Sequence, residues 1–182
     1  SNQEISSIIK ANCYVKPNKG KWDEQVQSRF LVALVALNKA IKKYNITHTI
    51  TFHSSLAKAK AFQQSQEKFT DIFQDYNQSD SYYIEGKLKA SERNKILSEF
   101  TNSKQAIISN ARCLTEGVDV PKIDCVVFVD PKTSRIDIVQ ALGRALRYYK
   151  GKKKGYVLLP IMLNNEDESR DEIEYENILM TL

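Results

Sequence analysis

The sequence predicts an α/β protein, in the form of a three-layer α/β/α domain with a mainly parallel sheet. Short β-rich runs alternate along the chain with segments of helical periodicity. Strands separated by helices pair in parallel through right-handed crossovers, so the helices cover both faces of the sheet. A length of 182 residues is also enough for one domain with a substantial core.

The predicted elements follow in chain order. The first is a helix over residues 23–44, in which Phe30, Leu34, Leu37 and Ile41 recur at helical spacing. Strands are predicted at residues 48–52, 81–84, 105–109, 124–129 and 155–159. Helices are predicted between them at residues 55–66 and 91–100.

Two segments give weaker patterns. Residues 68–80 are polar and lack a clear period, which fits either a further short helix or an extended loop. Residues 173–182 have a helical pattern, and we expect the packing partner of this helix to be absent from the chain.

Composition permits a polyanionic partner and argues against a metal or disulfide framework. The formal charge is +5 and the pI is about 9.0. Arg144, Arg147, Lys150 and residues 152–154 form a basic block, whereas residues 166–176 form an acidic tail. The 3 cysteines have no CxxC spacing and the 2 histidines have no ligand-like neighbours, so no metal site is predicted.

The sequence shows neither an apolar run of membrane-spanning length nor a signal peptide, so we expect a cytoplasmic protein without a membrane partner. The chain begins with Ser1 and Asn2 and has no initiator Met. We expect it to be a trimmed piece of a larger protein, in which Ser1 and Asn2 are a tag remnant.

In open α/β sheets, ligands bind beyond the carboxyl ends of the strands. Residues 53–55, 85–87 and 110–115 leave three predicted strands there, so Ser54, Gly86 and Thr115 are candidate contacts for successive phosphates. Each has an ordinary alternative: a serine that caps the next helix, a glycine that permits a tight turn, and a threonine that caps a turn. The lysines at 152–154 fall at the opposite edge and are interpreted as a solvated turn.

A helix near the C-terminus groups polar side chains suited to phosphoryl chemistry. Gln140, Arg144 and Arg147 stand at positions i, i+4 and i+7 and share one helical face. Paired guanidinium groups match the spread charge of a phosphoryl group in transfer. Gly143 weakens the helix, which suggests that something approaches its backbone closely. The alternative is a solvated basic face of an amphipathic helix.

These segments resemble a known family in their order and spacing. The motifs are TITFHSS at 49–55, YIEGK at 83–87, TEGVDVP at 115–121 and QALGRALR at 140–147. Together they resemble motifs IV, V and VI in the second, C-terminal RecA-like domain of superfamily-2 DEAD/DEAH-type helicases, with the restriction-enzyme-like subgroup favoured. The resemblance divides the chain into an N-terminal extension and helix at 1–44, a helicase C-terminal RecA-like domain at 45–162 and an acidic tail with a short helix at 163–182.

The resemblance implies part of an ATP-dependent helicase or translocase. In such proteins ATP lies between two RecA-like domains and nucleic acid crosses both. Arg144 and Arg147 would then be arginine fingers, and Gln140 would position them or the attacking water. Gly117 and Asp119 would lie near the nucleotide ribose, with Gly143 also at the nucleotide, and Ser54, Gly86 and Thr115 would grip the strand. DNA is favoured over RNA as the partner.

The sequence has no GxxxxGK[ST] phosphate loop and no DEAD-like acidic motif. In the family these belong to the first RecA-like domain, which would hold the magnesium, and this chain would supply half of an ATP site and be inactive alone. Two alternatives are a non-catalytic helicase-like module that binds nucleic acid or protein, and an unrelated nucleotide-binding α/β domain. The second lacks support, because no glycine-rich loop follows the first strand.

Overall fold

The computed structural model describes residues 24–73, 76, 78–111, 122–132, 134–152, 154–160, 175, 178 and 180. Among them, the helices are α1 (Glu24–Tyr44), α2 (Leu56–Ile72), α3 (Ala90–Asn102) and α4 (Arg135–Leu146). The strands are β1 (His48–Phe52), β2 (Asp80–Ile84), β3 (Ala106–Asn110), β4 (Cys125–Phe128) and β5 (Tyr156–Leu158). Strands and helices alternate as the sequence predicts, except that no helix is described between β3 and β4.

The described strands form one five-stranded sheet in the order β2-β3-β1-β4-β5. All neighbouring strands are parallel, and Ile50 at the centre of β1 lies opposite Ile108 of β3 and Val126 of β4. Because the strands run in one direction, the segments that follow them leave from the same edge of the sheet. The predicted mainly parallel sheet is confirmed.

The sheet is buried on both faces, as expected for parallel strands between helices. On one face, α1 and α2 pack against side chains such as Ile107 and Val127. On the other face, α3 and α4 pack against side chains such as Ile108 and Val126. Successive strand residues thus enter opposite cores, which is the period-2 geometry of a strand. The predicted three-layer architecture is confirmed.

The helix predicted at residues 23–44 is present as α1 and is an integral layer of the domain. Its Leu34 and Leu37 are fully buried in the same core as Phe62 of α2. Asn38 and Gln66 exchange two hydrogen bonds of 2.9 Å between their amide groups, which joins α1 to α2. The predicted boundary at residue 44 therefore does not coincide with a break in packing.

Two weak sequence patterns are resolved by packing. Helix α2 continues beyond the predicted end at residue 66, because Phe69 is buried against Phe73 and Tyr76. The expectation that the helix predicted at residues 173–182 has no packing partner in this chain is wrong. Tyr175 and Ile178 are fully buried in the core that α3 and α4 share, so their packing partner is within this chain.

Candidate functional site

The carboxyl edge of the sheet carries a cleft where three strands end. Its volume is about 590 Å³, and it is lined by residues 54–57 after β1, by Gly86 and Lys87 after β2, and by Ala111 after β3. The structure therefore brings Ser54 and Gly86, two of the sequence-predicted candidates, to one cleft. It does so because the carboxyl ends of parallel strands lie at the same edge of the sheet.

Ser54 is bound to Asp130, the second residue after β4. Its backbone amide and its hydroxyl both donate to Asp130 Oδ2, at 2.9 and 3.1 Å. Lys58 Nζ donates to Asp130 Oδ1 at 2.8 Å and to Ser54 Oγ at 3.0 Å. The Ser54 hydroxyl is thus already engaged on both its donor and its acceptor side. These contacts fix the position of Ser54 at the cleft.

Asp130 is charged in this setting. Burial alone would raise the pKa of its carboxyl group, but the hydrogen bond and charge of Lys58, with the bond from the Ser54 amide, outweigh burial and lower the pKa. The side chains of Lys58 and Asp130 are only 15% and 8% exposed, so this ion pair is screened less than a surface pair. The pair fixes the beginning of α2 against the end of β4.

Ser55 is the N-cap of α2, which confirms the capping alternative for this pair of serines. Its Oγ accepts from the Lys58 amide at 3.2 Å, and the helix begins at Leu56 as predicted. The cap leaves the amides of Leu56 and Ala57 as first-turn donors, and both residues line the cleft. The cleft therefore has the helix N-terminus and Lys87 as positive features suited to phosphate groups.

His53, the residue after β1, is buried beneath this edge of the sheet and is neutral. It is 3% exposed, and burial lowers its pKa to about 4. Its Nε2 lies 2.9 Å from Thr51 Oγ1, and that hydroxyl is also bonded to Ser109 Oγ at 3.0 Å. These contacts join the ends of β1 and β3, so His53 is a structural residue.

The arginine helix α4 follows Ser134, its N-cap, and ends at Leu146. Ile138, Ala141 and Leu142 are buried against the sheet. Gln140 and Gly143 are exposed and Arg144 is half-buried. Arg147 is exposed and is the C-cap residue, with a ψ of 126° that takes the backbone out of the helix.

The exposed side of α4 is partly apolar. Ile136 and Val139 are 71% and 56% exposed, and with Gln140, Gly143 and Arg147 they recur at the spacing of one helical face. A Cβ atom added at Gly143 would meet no atom within 4 Å. Packing among the described residues therefore does not require a glycine at this position.

The arginine face and the cleft lie at different places on the domain. Arg147 O accepts from Lys152 Nζ at 3.0 Å, and the same ammonium donates to Ile123 O at 2.7 Å, just before β4 begins. The end of α4 is therefore near the amino edge, whereas Ser54 and Gly86 are at the carboxyl edge. The structure therefore does not bring Arg147 to the cleft that Ser54 and Gly86 line.

These contacts also correct the interpretation of the lysine run as a purely solvated turn. Lys152 is half-buried, bonded to two carbonyl groups, and 5.4 Å from the ring centre of Tyr149. Burial lowers its pKa. Its location near the amino edge is confirmed. Lys154 is exposed, and Lys153 lies outside the described residues.

Three predicted site residues, Thr115, Gly117 and Asp119, also lie outside the residues that the structure describes. The site contains others that the sequence reading missed. Asp130 is the second residue after β4, as Ser54 is the second residue after β1. The principle that sites form beyond the carboxyl ends of strands therefore also applies to Asp130. Lys58 has no comparable signal, because its role depends on the approach of β4.

Neither a membrane-spanning helix nor a metal-binding cluster occurs among the described residues. No helix there is both long and apolar enough to cross a membrane. In the same residues, no group of three or more His, Cys, Asp or Glu side chains is arranged to hold a metal ion.

Comparison with known families identifies the family of this chain. Residues 31–149 match the Helicase conserved C-terminal domain family, which is more than half of the 182 residues, and the chain therefore belongs to that family. The predicted C-terminal domain of a superfamily-2 helicase is confirmed.

Curated relatives are longer proteins. The putative ATP-dependent helicase IRC3 of Saccharomyces cerevisiae is 33% identical over 99 residues, which cover 54% of this chain and 14% of that protein. The ATP-dependent RNA helicase HAS1 of Candida albicans is 29% identical over 131 residues, covering 72% of this chain and 21% of that protein. The chain thus spans about a fifth or less of these relatives.

Solved structures share the fold. The ATP-dependent type ISP restriction-modification enzyme LlaBIII bound to DNA has a TM-score of 0.64 and 25% identity, over 85% of this chain and 12% of that chain. Domain 2 of the DEAD-box helicase Mss116p bound to an RNA duplex has a TM-score of 0.58 and 18% identity, over 74% of this chain and 50% of that chain. The RecA-like fold is therefore confirmed.

Proposed function

We propose that this chain is the second RecA-like domain of an ATP-dependent helicase or translocase, in which it supplies arginine fingers and part of the nucleic-acid grip. The observation that carries the proposal is the separation of two surfaces on one domain. A donor-rich cleft lies at the carboxyl edge, and an exposed face with glutamine and arginine lies on α4. A domain that couples nucleotide hydrolysis to movement along a strand needs both surfaces.

The cleft is proposed to hold the phosphates of a single strand. The first-turn amides of α2 and the ammonium of Lys87 supply positive charge, and Gly86 leaves its backbone open to close approach. Ser54 positions the beginning of α2 through Asp130. Thr115 is proposed to extend this grip. Such contacts are to the backbone of the strand, so binding is largely independent of base sequence.

The exposed face of α4 is proposed to meet the first RecA-like domain and its ATP. Ile136 and Val139 provide apolar contact for that domain, which would remove them from water. Arg144 and Arg147 would stabilise the charge that develops on the transferring phosphoryl group. Gln140 would orient them or the attacking water, and the open backbone at Gly143 would admit the close approach.

The remaining assignments rest on the resemblance to the family. Gly117 and Asp119 are proposed to lie near the ribose of ATP. Magnesium would be held by the first RecA-like domain, because no phosphate loop or DEAD-like motif occurs in this sequence. DNA is proposed as the nucleic acid, and the DNA-bound type ISP enzyme supports that choice.

A comparison of two purified proteins tests the proposal. The longer protein that contains this chain is expected to hydrolyse ATP, with a rate that rises when single-stranded DNA is added. The 182-residue chain alone is expected to show no turnover. If the longer protein binds DNA without hydrolysis, the chain is a non-catalytic binding module. Turnover by the chain alone would contradict the half-site assignment.

A further inference from the structure

Tyr175, near the C-terminus, lies at the end of strand β4. Tyr175 and Ile178 are both 0% exposed and belong to the same core cluster as Ile138 and Leu142 of the arginine helix. The guanidinium carbon of Arg29 in α1 lies 5.7 Å from the centre of the Tyr175 ring. The Tyr175 side chain therefore packs in the core that α3 and α4 share, and Arg29 of α1 contacts its ring.

The hydroxyl of Tyr175 is bonded to the backbone where β4 ends. It lies 3.1 Å from Phe128 O and 3.0 Å from Val129 O, so its single proton is shared between two consecutive carbonyl groups. Val129 N in turn donates to Phe52 O at 3.1 Å. The backbone is thus held on both sides immediately before Asp130. Removal of the Tyr175 hydroxyl would leave these buried carbonyls with fewer donors.

Asp130 connects the end of β4 to the residues at the cleft. Its Oδ2 accepts from the Ser54 amide and hydroxyl, and its Oδ1 accepts from Lys58. Because one carboxylate accepts all three bonds, a shift of the backbone at the end of β4 would disturb them together. The beginning of α2, which lines the cleft, depends on them.

We propose that Tyr175 is a positioning residue for the strand-gripping cleft: its hydroxyl holds the exit of β4, and Asp130 passes that position to Ser54 and Lys58. Tyr175 thereby supports the nucleic-acid site from behind the cleft. This inference rests on the proposed function of the cleft, although its structural step can be measured separately.

The structural step is tested on the chain itself by amide hydrogen exchange at Ser54. Tyr175→Phe is expected to speed exchange of the Ser54 amide about threefold to tenfold, the range for loss of one hydrogen bond. Tyr82→Phe is the matched control, because it removes a half-buried tyrosine hydroxyl that is bonded elsewhere, to Ser103 Oγ at 3.0 Å. Equal exchange in the two variants would overturn the inference.

The functional step is tested by single-strand binding in the longer protein. Tyr175→Phe is expected to weaken binding about threefold to tenfold, with Tyr82→Phe close to wild type. In an Asp130→Asn background, Tyr175→Phe should add little further loss, because both changes act on one chain of contacts. Additive losses would exclude the route through Asp130. A wild-type protein that binds no strand would contradict the proposed function instead, while the exchange result would still decide the role of Tyr175.

Discussion

Lys152 holds the end of the arginine helix through the backbone of Arg147. Its ammonium donates to Arg147 O at 3.0 Å and to Ile123 O at 2.7 Å, so one side chain joins the end of α4 to the residues before β4. The C-terminal carbonyls of a helix have no partners within the helix, and a cation there satisfies them. A lysine in a basic run is therefore a structural link to a candidate catalytic residue.

Lys152→Met should lower the free energy of unfolding by about 1–3 kcal/mol, because two carbonyl groups lose a charged donor. Lys154→Met is the matched control: Lys154 is exposed, and its replacement should change stability by no more than about 0.5 kcal/mol. Urea denaturation of the chain measures both. Strand binding in the longer protein should be unchanged in both variants. Equal stabilities would show that Lys152 is a solvated residue after all.

Arg144→Ala or Arg147→Ala in the longer protein should lower ATP turnover about 10³- to 10⁵-fold, which corresponds to roughly 4–7 kcal/mol of transition-state stabilisation. A solvated arginine contributes only about 0–1 kcal/mol. Lysine should not restore full activity, because a point charge lacks the planar fork of a guanidinium. Steady-state ATPase at saturating DNA is the measurement.

Arg135→Ala is the control for the arginine variants. Arg135 is an exposed arginine in the first turn of the same helix, and it precedes Gln140 by five residues. It should keep nearly full activity, and circular dichroism should show that all three variants are folded. Activity within about tenfold of wild type for both Arg144→Ala and Arg147→Ala would refute the arginine-finger assignment, since that is only about 1.4 kcal/mol.

Lys87→Ala should weaken single-strand binding by the longer protein. Loss of one phosphate contact should reduce the magnitude of the slope of log binding constant against log salt by about 0.7. Near 0.1 M salt, this corresponds to about fivefold weaker binding. Lys104→Ala is the matched control, because Lys104 is an exposed lysine just before β3 and so lies at the opposite edge of the sheet. Fluorescence anisotropy across a salt series distinguishes them. Equal slopes for the two variants would remove Lys87 from the site.

His53 should make the domain less stable as pH falls. Burial lowers its pKa from 6.5 to about 4, so between these values the unfolded chain binds a proton that the folded chain excludes. The unfolding free energy therefore falls by about 2–3 kcal/mol between about pH 7 and about pH 4.5 from this residue. Urea denaturation at both pH values should show a weaker pH dependence for His53→Gln. Burial also lowers the pKa of His48, so some dependence should remain. Identical pH dependence in the two proteins would contradict the assignment.

Much of the fold was predictable, because it depends on local patterns. Helical spacing in α1 and short β-rich runs identified the layers, and the helix start at Leu56 followed from the serines before it. The end of α2 was not predictable from its polar surface pattern. It depends on Phe69, whose burial against Phe73 and Tyr76 is a tertiary contact.

The sequence by itself determined that Ser54 and Gly86 share an edge, because parallel strands send their exits to one side. It also determined that Gln140 and Arg144 share a helical face, because helical spacing is local, whereas Arg147 follows the helix as its C-cap residue. Only the tertiary structure decided that Asp130 accepts from Ser54 and that Tyr175 is bonded to the end of β4. Those contacts join residues 76 and 47 positions apart. They depend on strand order and on long-range packing, which the periodicity of each separate segment does not encode.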